Sequence, residues 1–146
     1  MKHKTIIAIW GAASQGKTSS VVAIASRIRL AYPAAGIHYL HQGVEIKAIV
    51  TIGKIKVGIE SQGDPPGLRM KQSLDDFHTA GCSIIICTCR TRGVTEEYIN
   101  QMNYNYGYHI IWTSNYFSNE KPAAHLNQRF ADHILVLVDD LLKGII

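Results

Sequence analysis

The chain has 146 residues, 47% of them hydrophobic, which suits one globular domain over 1–146 with a proper core. Its formal net charge of +4 and pI near 9.0 are mildly basic, an excess that does not by itself imply nucleic acid, and there is no arginine-rich tail or lysine run. No apolar run reaches the ~20 residues needed to span a bilayer, so no membrane partner is expected.

The first predicted element is a short apolar strand over 4–10, KTIIAIW. The next eight residues, Gly11, Ala12, Ala13, Ser14, Gln15, Gly16, Lys17 and Thr18, spell G-x-x-x-x-G-K-[ST]. A helix is predicted from 17 to about 32, stopping before Pro33. Strand, glycine loop and helix in this order are the setting in which such a motif grips phosphate. Gly11 lets the chain turn off the strand, and Gly16 lets the backbone approach a phosphate without a Cβ in the way. The amides of Ala13 to Thr18 then form an anion nest at the positive end of the helix, with Ser19 completing the cofactor-binding group. Lys17 is expected to reach the β- and γ-phosphates and the Thr18 hydroxyl to ligate Mg²⁺. A cleaved leader would remove this loop, so the expected location is the cytoplasm.

In the first helix Val21, Ile24, Ala25 and Ile28 fall at helical spacing and should face a sheet. Residues 33–43 read as a loop with room for a short strand over 37–40. Ile46, Ala48, Val50 and Ile52 alternate, as do Ile55, Val57 and Ile59, and Gly53-Lys54 between them suits a two-residue hairpin. The turn-rich SQGDPPG of 61–67 is a loop, followed by a helix over 68–79. CSIIICT at 82–88 is apolar throughout, as a central strand covered on both faces should be. A loop over 90–93, a helix over 95–104 and a strand over 108–113 follow. A last helix opens at Pro122 and runs to about 143, with Leu126, Phe130, Ile134, Leu137 and Leu141 as its buried stripe. This order predicts an α/β fold: a three-layer α/β/α sandwich whose mostly parallel sheet carries the hairpin as one antiparallel edge.

A phosphate loop calls for an acidic group at the end of a neighbouring strand, to hold Mg²⁺ through water or to orient the attacking group. The sequence offers both Glu60, which ends an apolar strand, and Asp64, in the loop that follows; the bland reading of Asp64-Pro65-Pro66-Gly67 is a stiff turn before the next helix. Arg90 and Arg92 leave the carboxyl end of the central strand, where they would neutralise charge on a transferring phosphoryl group or, more plainly, pair with Glu96, Glu97 or solvent. Ser114 and Asn115 leave the next strand at the same edge, within reach of a base or substrate. Cys87 and Cys89 share a strand face, but without a second cysteine pair they read, with Cys82, as buried thiols. The scattered histidines have no metal or triad spacing, and Tyr98, Tyr104, Tyr106 and Tyr108 read as packing at a helix–strand corner.

The loop and the order of elements around it resemble the P-loop nucleoside-triphosphatase superfamily. The hairpin before Glu60-Ser61-Gln62-Gly63 is similar to that of small GTP-binding proteins, in which Asp-x-x-Gly follows the second hairpin strand. Here Glu stands for Asp, and no Asn-Lys-x-Asp follows a later strand, so the resemblance implies ATP rather than GTP. Small-molecule and nucleotide kinases are the other similar group, and only Arg90 and Arg92 suggest their arginine-rich lid. The resemblance implies an NTP-binding protein with Mg²⁺ as cofactor. It would act as an ATPase or as a kinase passing the γ-phosphoryl group to a small-molecule acceptor. The alternative is a nucleotide-switched module whose loops 33–43 and 61–67 recruit a protein partner. A nucleic-acid motor ranks last.

Overall fold

The computed structural model describes residues 3–11, 17–43, 45–61, 68–89 and 94–146, with the backbone alone for Lys17, Thr18 and Val94. Strand β1 (Thr5–Trp10) leads to helix α1 (Lys17–Ala31), and strands β2 (Gly36–Gln42), β3 (Ile46–Ile52) and β4 (Ile55–Glu60) follow. Then come α2 (Leu68–Thr79), β5 (Ile84–Cys89), α3 (Val94–Tyr106), β6 (His109–Ser114) and α4 (Ala123–Leu142). The strands form one sheet in the order β2-β3-β4-β5-β1-β6. β4, β5, β1 and β6 run parallel, and β3 runs against both β4 and β2. The predicted hairpin therefore lies inside a three-strand meander. Its antiparallel member β3 is not the edge, because residues expected to form mainly a loop extend the sheet by the whole of β2.

Alternation along the central strands assigns the two faces. Ile84 and Ile86 of β5, with Ile7 and Ile9 of β1, pack under Val21, Ile24 and Ile28 of α1 and Phe130, Ile134 and Val138 of α4. Ile85, Cys87 and Cys89, with Ile6 and Ala8, pack under Met70, Leu74 and Phe77 of α2 and Ile99 and Met102 of α3. The sheet thus has two helices on each face, and every residue of β5 is buried, as its continuous apolar run predicts. In α4 the fully buried stripe is Phe130, Ala131, Ile134, Val138 and Leu141, while Leu126 and Leu137 are only half-buried. Gly144, at φ 71°, ends this helix in the left-handed conformation that glycine adopts without a Cβ penalty. Among the described residues no helix is long and apolar enough to cross a membrane.

The expected tyrosine cluster resolves into separate roles. Tyr104 is exposed, Tyr106 stacks on His78 with ring centroids 3.7 Å apart, and Tyr108 is fully buried. The Tyr108 hydroxyl donates to the Cys82 carbonyl at 2.6 Å, tying the start of β6 to the turn before β5. Burial pushes the Cys82 thiol up to about 11 and the Tyr108 phenol up to about 12. Both groups are acids whose protonated forms the fold favours. Their stabilisation is complete below the ordinary thiol range and is lost as pH rises through these values. Urea midpoints should therefore fall steeply between pH 9 and 11. Tyr108→Phe should cost about 1–2 kcal/mol at neutral pH by leaving the carbonyl without this donor. A flat midpoint across that range would contradict the assignment.

Candidate functional site

The carboxyl edge of the parallel strands gathers the connections that the sequence singles out. From β1 the chain passes to α1 on one face of the sheet, and from the adjacent β5 it passes to α3 on the other. Connections that leave neighbouring strands toward opposite faces open a crevice between the strand ends, which is where open α/β sheets take their ligands. The register sets Trp10 opposite both Cys89 and Ser114, so β1, β5 and β6 end level with one another. Gly11 is buried at the end of β1, and α1 begins at Lys17. Its first turn holds no acidic residue to oppose an anion at the positive end of the helix. Ser20, fully buried, donates its hydroxyl to Asn127 Oδ1 at 3.1 Å and anchors that turn to α4.

Glu60 is the described carboxylate at this edge. It is fully buried as the last residue of β4, opposite Cys87 of β5. Ile59 packs toward α1, whereas Gly58 lies against Phe77 of α2, so Glu60 belongs to the α2/α3 side of the sheet. The expectation that this acidic strand is β1's immediate neighbour does not hold. β5 lies between them, which sets β4 about 10 Å from β1 at ordinary strand spacing. Ser61 fixes how the chain leaves β4: its N–H donates to the Ile46 carbonyl at 3.0 Å, and its Oγ accepts the Ile46 N–H at 2.8 Å.

The other predicted site residues divide as follows. Ala12, Ala13, Ser14, Gln15, Gly16, Asp64, Arg90 and Arg92 lie outside the described residues. Lys17 and Thr18 are placed by their backbone in the first turn of α1, and Ser19 beside them is exposed. At the end of β6 Ser114 is exposed and Asn115 is buried, its amide donating to the Tyr116 carbonyl at 3.5 Å. Cys82, Cys87 and Cys89 are buried and form no disulfide. Burial, then the neighbouring Cys89 and Glu60, push the Cys87 thiol well above its ordinary range, which keeps it protonated and unreactive. Among the described residues no three His, Cys, Asp or Glu side chains converge as a metal site.

Sequence reasoning passed over the two tryptophans. Trp10 and Trp112 meet on the α2/α3 side with ring centroids 5.3 Å apart. The Trp10 indole N–H is buried and meets no hydrogen-bond partner among the described residues, one position before Gly11. The available signal was alternation, which places positions 8, 10 and 112 on one face once the parallel register is known. The described part of the crevice thus joins a helix start free of carboxylates to a buried carboxylate two strands away. Compared with family models, curated proteins and solved structures, the chain matches none.

Proposed function

We propose that the chain binds a nucleoside triphosphate, ATP by default, with Mg²⁺ at the crevice between β1 and β5. It hydrolyses the nucleotide or passes its γ-phosphoryl group to a small acceptor. One observation carries this reading: the G-x-x-x-x-G-K-[ST] sequence begins at Gly11, directly after β1, and ends at Lys17 and Thr18 in the first turn of α1, and the carboxyl edge of a parallel sheet is where open α/β folds take ligands. The amides of 13–18 and the Lys17 ammonium would hold the β- and γ-phosphates. The Thr18 hydroxyl, with Glu60 or Asp64 acting through water, would hold Mg²⁺. Arg90 or Arg92 would stabilise charge as the γ-phosphoryl group moves in line to water or to a hydroxyl. Bound Mg²⁺ supplies charge neutralisation at the β- and γ-oxygens.

The switch reading loses one of its two movable loops, because 36–42 is a strand registered along β3 rather than a loop. Calorimetry with ATP and GTP, with and without Mg²⁺, tests binding, and steady phosphate release with or without added acceptors separates hydrolase from kinase. Glu60→Gln keeps the shape and removes the charge. It should leave ATP binding in place and slow turnover by about 10–100-fold, the scale seen when groups supporting a metal are altered. Unchanged turnover in this variant would move the metal role to Asp64. Indifference of the intact chain to every nucleotide would end the proposal.

A further inference from the structure

We infer that Asn127 of α4 is a positioning residue for the triphosphate, fixing the first turn of α1 from behind through the Ser20 hydroxyl. The inference rests on the nucleotide reading above and adds to it a residue far outside the motif. In that reading the phosphate donors end in the first turn of α1, so the placement of this turn sets where the last of them point. Among the described residues the apolar packing of α1 begins only at Val21, and Ser19 is exposed. Ser20 holds the turn from within the protein. It is fully buried, and its hydroxyl donates to Asn127 Oδ1 at 3.1 Å, across 107 residues of chain. Serine in a helix readily spends its hydroxyl on nearby backbone, whereas this one reaches a neighbouring helix.

The far end of this tether is itself held. Phe130, Ala131 and Ile134, on the next turns of α4, are buried in the core shared with α1. The Tyr116 hydroxyl hydrogen-bonds His133 Nδ1, and the Tyr116 ring meets Phe130 edge-on, so the chain leaving β6 is tied to the same stretch of α4. The connections that leave β1 and β6 at the carboxyl edge thus share one support. A different tie between the two helices, Arg27 Nε to Asp132 Oδ1 at 3.0 Å, lies about two turns further along α1 and is partly exposed. Both ties join α1 to α4, but only the Ser20 bond acts on the turn that meets phosphate. Without it the first turn can shift against the loop before it, and donors misplaced by even about 1 Å lose much of their grip.

The test is calorimetry of folded variants with Mg²⁺·ATP and with Mg²⁺·tripolyphosphate, which lacks a nucleoside, alongside amide exchange. Asn127→Ala is expected to weaken both ligands about tenfold. It should also speed exchange at the amides of 21–24, whose hydrogen bonds to the carbonyls of 17–20 close the first turn. Ser20→Ala should match it. The double variant should bind no more weakly than either single one, because both changes remove the same bond. Arg27→Ala should leave both affinities within about twofold, although it too loosens the two helices. Asn127→Ala binding as tightly as the intact chain would overturn the inference, as would losses that multiply in the double variant. An equal loss in Arg27→Ala would reduce the tether to general adhesion of the helices, and a loss for ATP alone would make Asn127 a nucleoside contact; either result overturns it. An intact chain that binds neither ligand would instead end the nucleotide reading, and this inference with it.

Discussion

Replacing Lys17 by alanine is expected to weaken Mg²⁺·ATP binding by about two to three orders of magnitude while the fold survives. In the proposed site the Lys17 ammonium would be the motif's one side-chain charge facing the phosphates, and truncating one member of a desolvated charge pair costs about 2–5 kcal/mol. Each 1.4 kcal/mol is roughly tenfold in affinity. The helix itself should be indifferent, because Lys17 lies in the first turn of α1 and alanine is the best helix former. Binding can be read without a label. Trp10 precedes Gly11 directly and the chain holds two tryptophans, so Trp112→Phe leaves Trp10 as the sole reporter. Mg²⁺·ATP should shift Trp10 emission in that background, and Lys17→Ala should abolish the shift at the same nucleotide concentration. Lys17→Arg keeps the charge but changes its reach, and should recover only part of the affinity. Full affinity in the alanine variant would show that the phosphates, if bound at all, are gripped elsewhere.

What was legible beforehand was whatever short-range pattern governs. The stripe Val21, Ile24, Ala25, Ile28 lies buried as its spacing predicts, and the uninterrupted apolar run around Ile84 to Cys87 became a strand buried on both faces. β2 was largely missed because Gly36-Ile37-His38-Tyr39-Leu40-His41-Gln42 lies at an edge with one side open, so its polar residues carry no burial signal. In α4 the choice between Leu137 and Val138 turned on how the helix rotates against α1, a matter of packing that hydrophobicity alone does not decide. The greatest consequence for the site was strand order. Nothing local in Glu60 tells that β5 inserts between its strand and β1, since that pairing joins segments far apart in the chain. Residues of the site could be nominated from their spacing, but which of them stand side by side could not.

Gly58→Ala is expected to destabilise the protein by about 3 kcal/mol, the cost of forcing extra volume into a filled core. A Cβ at position 58 would lie 2.6–2.8 Å from three ring carbons of Phe77, so the ring rests directly on the glycine backbone. Phe77 is fully buried. The helix α2 cannot readily lift away: Met70 and Leu74 are also buried against the sheet, and Lys47 Nζ holds Asp76 Oδ2 at 2.6 Å from β3. That ion pair, with Gln72, keeps the Asp76 carboxyl below its usual range, so the tether is present at neutral pH and weakens only in acid. The glycine also stands two positions before Glu60, so strain relieved by bending β4 would move the buried carboxylate at the edge. Denaturant unfolding measures the loss, and Phe77→Leu tests its cause. Alone, the leucine leaves space and should destabilise; combined with Gly58→Ala it should restore about 1–2 kcal/mol, because the added methyl fills that space. Strictly additive losses in the double variant would mean that the ring is not what excludes a side chain at position 58.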